Sequence, residues 1–150
     1  MAVIVRKAEI SDAETLCRLI HSLARFENMA DECTATPESV ARMMTEENGL
    51  CGVIAEENGK AVGMAVYSLY KLATFSGKRI LYIEDIYVDE SVRHSGIGSM
   101  IFEKLKELAE EYKCRRLEWK CLAWNSNARQ FYEKHGGISD PEWLTYTLEI

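Results

Sequence analysis

Residues 80–98 read ILYIEDIYVDESVRHSGIG, and this stretch decides the fold because it joins a strand, a glycine loop and a helix. Residues 80–88 are mostly β-branched, aromatic or aliphatic, a composition that favours a strand. After the glycines, apolar residues recur at helical spacing and predict a helix with one buried face: Ile97, Ile101, Leu105 and Leu108. The two glycines, Gly96 and Gly98, therefore stand where the helix begins.

Upstream of this unit, the pattern predicts a short strand followed by two helices. Ser11 and Glu14 have the spacing of a capping box, and the apolar periodicity that follows predicts a first helix ending near Phe26. Thr36 and Pro37 read as an N-cap and first helical residue of a second helix, which Gly49 is expected to end.

Two strand-like runs then flank residues 57–60, and the pair Asn58-Gly59 supplies the positive φ angles of a tight hairpin. Downstream, we expect a strand over 116–124, a helix over 125–135 stopped by Gly136 and Gly137, and a last strand over 143–150. The element order is β-α-α-β-β-β-α-β-α-β, a mixed central β-sheet flanked by helices in the α/β (α+β) class. The 150 residues are the size of a single domain, expected to span 1–150.

The composition narrows the classes of function. With 18 basic and 24 acidic residues, the formal charge of −6 suits a cationic small molecule better than a nucleic acid. The five cysteines form no CxxC pair, which argues against a disulfide framework and gives no support for a metal site. No apolar run is long enough to span a membrane and no signal peptide precedes the first strand, so we expect a cytoplasmic protein that binds no membrane.

The glycine loop is also a candidate anion site. The first N–H groups of a helix lack internal partners and carry about half a positive charge from the helix dipole. Gly96 and Gly98 allow close approach of a ligand to the backbone, and Arg93 adds a forked donor for phosphate. On their own, residues 93–98 (RHSGIG) fit a plain strand-to-helix turn equally well. Two common phosphate-binding motifs, the Walker pattern and a full GxGxxG, are both absent.

The sequence motifs on either side of the loop favour a phosphate site over a plain turn. The motif Arg93-x-x-Gly96-x-Gly98, preceded by LYIEDIYV and followed by AWNSNARQFYEKHGG, resembles the GCN5-related N-acetyltransferase superfamily over practically the whole chain. Within that superfamily the chain looks like the branch that acetylates diamines (spermidine/spermine) and thialysine. The resemblance implies an enzyme that transfers the acetyl group of acetyl-CoA directly to an amine, with no metal, and that forms a homodimer.

The resemblance also assigns the residues that hold the acetyl donor. The loop amides would bind the pyrophosphate, and main-chain groups of the preceding strand would bind the pantetheine arm like an added strand. One strand amide would then face the acetyl oxygen as an oxyanion hole. The implied cofactor residues are Ile86, Tyr87, Val88, Arg93, His94, Ser95, Gly96, Ile97, Gly98, Ser99, Asn125, Ala128 and His135.

Two further residues carry the implied chemistry. Tyr132 matches the family's tyrosine beside the sulfur, where it gives a proton to the departing thiolate. An amine with a pKa of about 10.4 loses its proton at pH 7 at a cost of about 4.6 kcal/mol, so supplying the free amine is a sizeable part of the barrier. Glu84 matches the position that contacts the amine, and strict alternation would put it on the same face as Ile86, with Asp85 opposite. It would accept the proton directly or through water.

Acidic positions around the implied acceptor groove suit a polycation. Phe26, Glu27 and Glu142 match positions that line this groove in the family, and Glu84 would join them. A small cationic amine is therefore the expected acceptor, either a diamine or polyamine or a thialysine-like amino acid. The alternatives are a protein N-terminal or lysine acetyltransferase of the same fold and a non-catalytic sensor of acyl-CoA.

Overall fold

A computed structural model describes residues 2–150 of the chain. The strands are β1 (Val3–Lys7), β2 (Cys51–Glu57), β3 (Lys60–Lys71), β4 (Arg79–Val88) and β5 (Arg116–Trp119). The α-helices are α1 (Ala13–Phe26), α2 (Pro37–Thr45), α3 (Ile97–Glu111) and α4 (Ser126–Lys134). By contacts the chain divides into two compact units, residues 1–119 and 120–150, so the expected single domain over 1–150 stays a prediction.

The first unit is built on a mixed sheet with the order β1-β2-β3-β4-β5. The first four strands pair antiparallel, and β5 pairs parallel to β4 because α3 carries the chain back across the sheet. The hairpin between β2 and β3 turns at Asn58 and Gly59, whose φ angles of 52° and 80° are positive as expected. The mixed α/β class is confirmed.

One face of the sheet is covered by α1 and α2. Fully buried side chains of the helices pack on those of the strands, and the cluster includes Leu16, Leu19, Val40, Ile54, Met64 and Val66. On α3, the residues predicted to face inward are buried: Ile97, Ile101, Leu105 and Leu108. The methyl end of Ile101 lies 3.1 Å from where a Cβ on Gly63 of β3 would be, so α3 packs closely on the sheet at this glycine.

Local capping signals were predicted with mixed success. Thr36 caps α2 as expected, since its side chain accepts a hydrogen bond from the Ser39 amide at 3.0 Å. The capping box predicted at Ser11 and Glu14 is wrong, because a short 3₁₀ turn over Ile10–Asp12 precedes α1 and the reciprocal bonds join Glu9 and Asp12. The second helix ends at Thr45, four residues before Gly49.

The prediction of a last strand over 143–150 is wrong. Residues 143–150 form neither helix nor strand, and no strand within residues 2–150 pairs with them. The strand predicted over 116–124 is also shorter, ending at Trp119. A strand requires a neighbour for its backbone groups, so an alternating sequence alone does not produce one.

Candidate acetyl-transfer site

A β-bulge in β4 sets the geometry of the candidate site. Asp85 pairs with Val66 of β3, but the next pair is Ile83 with Tyr67, which leaves Glu84 as one extra residue on β4. An extra residue interrupts the alternation of side chains between the two faces. The argument that put Glu84 on the same face as Ile86 therefore fails here, and Glu84 is exposed where the strand bends.

Asp85 is the carboxylate that this strand turns toward α1. Its partner Val66 belongs to the core beneath α1 and α2, and residues opposite each other in a pair share a face of the sheet. Burial, followed by the nearby charges of Glu84 and Glu27, raises the pKa of Asp85 to about 6. At neutral pH Asp85 is therefore mostly ionised, although burial makes its charged form less favourable than it would be in water.

A cavity of about 190 Å³ lies between Asp85 and the C-terminal half of α1. The α1 residues that line it, Ile20, Leu23, Ala24 and Glu27, are three or four positions apart and so lie on one face of the helix. Burial raises the pKa of Glu27, which follows the last residue of α1. The C-terminus of a helix carries partial negative charge, which adds to the carboxylates. The lining residues are Ile20, Leu23, Ala24, Glu27, Met29, Glu32, Cys33 and Asp85. The cavity combines apolar walls with three carboxylates, which suits an alkyl ammonium ion.

Beyond the bulge, β4 and β5 part. The pairing between these strands covers Ile80 to Ile83 on β4, whereas β4 continues to Val88. The edge of Ile86, Tyr87 and Val88 that faces away from β3 is therefore not paired by a strand of this sheet. Such an edge can bind an extended chain through main-chain hydrogen bonds.

The glycine loop has the backbone of an anion site. Gly96 is the N-cap of α3 with φ of 87°, and no side-chain bond caps the helix at this position. His94, two residues earlier, also has a positive φ of 66°. Alternation of left-handed residues with ordinary ones turns successive N–H groups toward one concave side. A Cβ on Gly96 would meet no atom within 4 Å, so the space beside this residue is open.

Arg93 ties the loop to the strand and to α1. Its Nε donates a hydrogen bond of 2.9 Å to the carbonyl oxygen of Val88. Its guanidinium lies 4.7 Å from the ring centroid of Phe26 and 5.4 Å from that of Tyr87. Phe26 thus supports Arg93, a contact that the sequence did not suggest.

The remaining candidate residues lie in the second unit. Asn125 caps α4, and its Oδ1 accepts a hydrogen bond of 3.1 Å from the Ala128 amide. Tyr132 and His135 are both half-buried on or beside α4, with the ring of Phe131 5.6 Å from Tyr132 and 4.6 Å from His135. Glu142 is exposed, and its amide is bonded to Asp140.

The structure thus brings together the candidates of the first unit around the end of β4: Phe26, Glu27, Glu84, Ile86, Tyr87, Val88 and residues 93–99. Sequence reasoning missed Asp85 and Glu32 as cavity residues. The Glu84-Asp85 pair was itself the signal for Asp85, since two carboxylates in an apolar strand are unusual and a bulge changes which one is buried. Nothing local to Glu32 predicted its place.

Residues 2–150 contain neither a membrane-spanning helix nor a cluster of metal-binding side chains. None of the helices there is long and apolar enough to cross a bilayer. Among the same residues, no group of three or more histidine, cysteine, aspartate or glutamate side chains is arranged to hold a metal ion.

Comparison with known proteins agrees with this fold. Residues 17–137 match the model of the acetyltransferase (GNAT) family. A thialysine N-epsilon-acetyltransferase of Caenorhabditis elegans is 33% identical over 140 residues, which cover 91% of this chain and 86% of that protein. A human spermidine/spermine N(1)-acetyltransferase-like protein 1 is 32% identical over 143 residues, covering 89% of this chain and 20% of that protein.

Among solved structures, an integron cassette protein from the mobile metagenome of V. cholerae superposes with a TM-score of 0.81 at 25% identity, covering 99% of this chain and 93% of that one. The chain therefore belongs to the GNAT family, and it is an acetyltransferase. Acetyltransferases of this family use acetyl-CoA as co-substrate.

The glycine at position 96 provides a direct test of the loop. We expect Gly96→Ala to weaken the binding of acetyl-CoA about 5- to 30-fold, because a left-handed conformation costs an L-residue about 1–2 kcal/mol and relaxation of the loop would move its amides. Calorimetric titration measures the change. Gly59→Ala is the matched control, since Gly59 also has a positive φ and open space around it but lies in the β2–β3 hairpin. Equal loss of affinity in both variants would contradict the assignment of the loop.

Proposed function

We propose that the enzyme transfers the acetyl group of acetyl-CoA directly to the primary amine of a small cationic acceptor, a thialysine-like amino acid or a diamine or polyamine. The observation that carries this proposal is the cavity beside the bulge, with Glu27, Glu32 and Asp85 in its lining. Opposite charges attract most strongly where water is partly excluded, and burial raises the pKa of both Asp85 and Glu27. The names of relatives at 32–33% identity support the same class of acceptor.

The residues of the first unit suggest separate roles for the glycine loop, the edge of β4 and the cavity. The amides from His94 to Ser99 would bind the pyrophosphate of the donor, and the unpaired edge of β4 at Ile86–Val88 would bind its pantetheine arm. The carboxylates of the cavity would bind the ammonium group. Glu84, exposed next to them, would take the proton from the amine, directly or through water. A carboxylate is a weak base for an ammonium group, so direct and unaided abstraction would be inefficient.

In the transfer, the amine nitrogen attacks the thioester carbonyl carbon, a C–N bond forms and the C–S bond breaks. Main-chain N–H groups of β4 would stabilise the oxygen that becomes negative in the intermediate. Tyr132 would protonate the departing thiolate, so that the products are an N-acetyl amine and the free thiol. Asn125, Ala128 and His135 would contact the donor, and Glu142 the acceptor, as the family resemblance implies.

A thiol-release assay with acetyl-CoA tests the proposal. We expect turnover on thialysine, lysine, putrescine or spermidine, and at least tenfold lower kcat/KM on the neutral-tailed amino acid norleucine, because the cavity is acidic. Activity confined to peptides would instead favour a protein acetyltransferase. Binding of acetyl-CoA without turnover on any amine would favour a sensor and would overturn the proposal. A cytoplasmic location and the absence of nucleic-acid and membrane partners stay predictions.

A further inference from the structure

The side chain of Arg93 is held in one orientation by a hydrogen bond and two aromatic rings. Its Nε donates to the carbonyl oxygen of Val88 at 2.9 Å, and its guanidinium lies over the rings of Phe26 and Tyr87. The side chain is 29% exposed, and its ion pair with Glu90 is long, at 4.0 Å, and involves a carboxylate that is 75% exposed. Such an ion pair contributes little, so the hydrogen bond and the rings fix the guanidinium.

The carbonyl oxygen that Arg93 binds lies on the open edge of β4. The amide of Asp89 donates to the carbonyl oxygen of Val62 at 2.8 Å, so the main-chain groups of Asp89 point toward β3. Neighbouring residues of an antiparallel strand direct their main-chain groups to opposite sides, so those of Val88 and Ile86 point away from β3. At this edge, Arg93 occupies the carbonyl oxygen of Val88 and leaves its amide and both main-chain groups of Ile86 to a ligand.

An occupied carbonyl oxygen limits the registers that an extended ligand can adopt. A strand edge offers its main-chain groups at every second residue, about 7 Å apart, and the pantetheine arm carries two amide groups that can bind to them. Without Arg93, the carbonyl oxygens of Ile86 and Val88 would both be open to the same donor of the arm, in registers that place the thioester about 7 Å apart. With the oxygen of Val88 occupied, Ile86 alone remains.

We propose that Arg93 is a positioning residue, which acts through Val88 to restrict the acetyl donor to one register along β4. The proposal rests on the function proposed above, in which the edge of β4 binds the pantetheine arm. A side chain that only bound phosphate would change the affinity for the donor. A side chain that selects the register would change turnover, because a donor in the wrong register stays bound with its thioester away from the amine.

Acetyl-pantetheine, which lacks the phosphates and the nucleotide of acetyl-CoA, separates these two roles. With this donor and the acceptor that the thiol-release assay identifies, Arg93→Gln should lower kcat about 3- to 10-fold, because a freed carbonyl oxygen adds one hydrogen bond to the wrong register. The KM for the donor should fall or stay unchanged, since binding in the wrong register also saturates the enzyme. Arg93→Lys keeps the charge but places a methylene group where Nε stands, so it should lose kcat as Arg93→Gln does.

Arg115→Gln is the matched control for the loss of a stacked arginine. The guanidinium of Arg115 lies 3.7 Å from the ring centroid of Phe75, and its amide donates to Arg79, the first residue of β4. This arginine is therefore at the opposite end of β4 from Val88. We expect kcat and KM of Arg115→Gln to stay within about twofold of the wild type, and circular dichroism verifies that each variant is folded.

Nuclear magnetic resonance without turnover tests the register separately from the proposed function. In ¹³C,¹⁵N-labelled protein, we expect a scalar coupling across the hydrogen bond between the Arg93 Nε and the Val88 carbonyl carbon. Saturating pantetheine should shift the carbonyl signal of Ile86 much more than that of Val88 in the wild type. In Arg93→Gln, it should shift both signals.

Four results would contradict the proposal. The first is a wild-type kcat of Arg93→Gln with acetyl-pantetheine and a raised KM for acetyl-CoA, which would make Arg93 a phosphate ligand. The second is recovery of kcat in Arg93→Lys, which would assign the effect to charge. The third is an equal shift of the Val88 and Ile86 signals in the wild type, and the fourth is no shift at Ile86, which would exclude the arm from this edge. The expected shifts in a wild type that acetylates no amine would overturn the proposed function and leave the role of Arg93 supported.

Discussion

Replacement of Tyr132 by phenylalanine is expected to lower kcat about 100-fold and to change the affinity for acetyl-CoA less than about threefold, the low end for loss of a general acid. The hydroxyl would protonate the thiolate as the C–S bond breaks, and this proton transfer occurs after the donor has bound. The ring of Tyr132 stays in phenylalanine, so its packing against Phe131 on α4 is kept. Steady-state kinetics with the acceptor found in the panel, together with calorimetry of acetyl-CoA binding, separate the two effects.

Tyr70→Phe is the control for this experiment. Tyr70 lies on β3 and its hydroxyl donates to Glu118, so the variant also loses a tyrosine hydroxyl with a defined partner. We expect its kcat to stay within about twofold of the wild type, because an exposed hydrogen bond contributes little. Equal kcat in Tyr132→Phe and Tyr70→Phe would remove Tyr132 from the chemistry.

Asp85→Asn is expected to raise the dissociation constant of a cationic acceptor about 10- to 100-fold at pH 7.5, since a hydrogen bond to a charged group contributes about 1.5–3 kcal/mol. With a pKa of about 6, Asp85 is mostly ionised at pH 7 and mostly protonated at pH 5. The wild type should therefore bind a diamine about tenfold more weakly at pH 5 than at pH 7, and Asp85→Asn should show a smaller dependence. Calorimetry without acetyl-CoA measures this binding with no contribution from the chemical step.

Glu110→Gln supplies the control for charge. Glu110 is exposed on α3, and the variant removes one negative charge outside the residues that line the cavity. Its dissociation constant should stay within about twofold, because screening weakens interactions between exposed, distant charges. If Asp85→Asn bound the diamine as tightly as Glu110→Gln, the cavity beside the bulge would not be the acceptor site.

The substitution Asp85→Asn should also stabilise the fold. The pKa of Asp85 is raised from 3.8 to about 6, so the native state binds its proton more tightly than the unfolded state does. The free energy of unfolding therefore decreases as pH rises from about 4 through 6, and the loss is complete above pH 7. Asn carries no charge, so we expect Asp85→Asn to gain about 1 to 3 kcal/mol at pH 8 and about half as much at pH 5. Urea unfolding at both pH values checks the sign.

The parts of the fold that local signals specify were predictable from sequence. The buried face of α3, the hairpin at Asn58-Gly59 and the cap at Thr36 depend on residues a few positions apart, and the structure confirms each of them. The position of the glycine loop at the start of α3 belongs to this class, because the two glycines and the helix start are adjacent in sequence, whereas the role of the loop in binding stays a prediction. The family was likewise visible from motifs along the chain, and its identification is confirmed.

Features that depend on distant partners were not predictable. The bulge at Glu84 exists because β3 and β4 change register between Val66 and Tyr67. The two adjacent carboxylates mark this strand as unusual, but the register shift that decides which of them is buried depends on β3. Strict alternation consequently left out Asp85, the carboxylate that lines the cavity. For residues 143–150, the prediction of a strand was wrong. Their apolar and polar residues alternate as in a strand, but no strand of the described residues pairs with them.

The parting of β4 from β5 has an energetic consequence. Up to Ile83, β4 is held on both sides, and from Asp85 to Val88 it is held by β3 alone. The part of β4 that is paired with both β3 and β5 fixes the direction of residues 85–88. An extended ligand that bound at this edge would therefore meet main-chain groups that are already oriented for hydrogen bonding. Little conformational entropy of the protein is then lost on association, and more of the gross interaction energy remains as affinity.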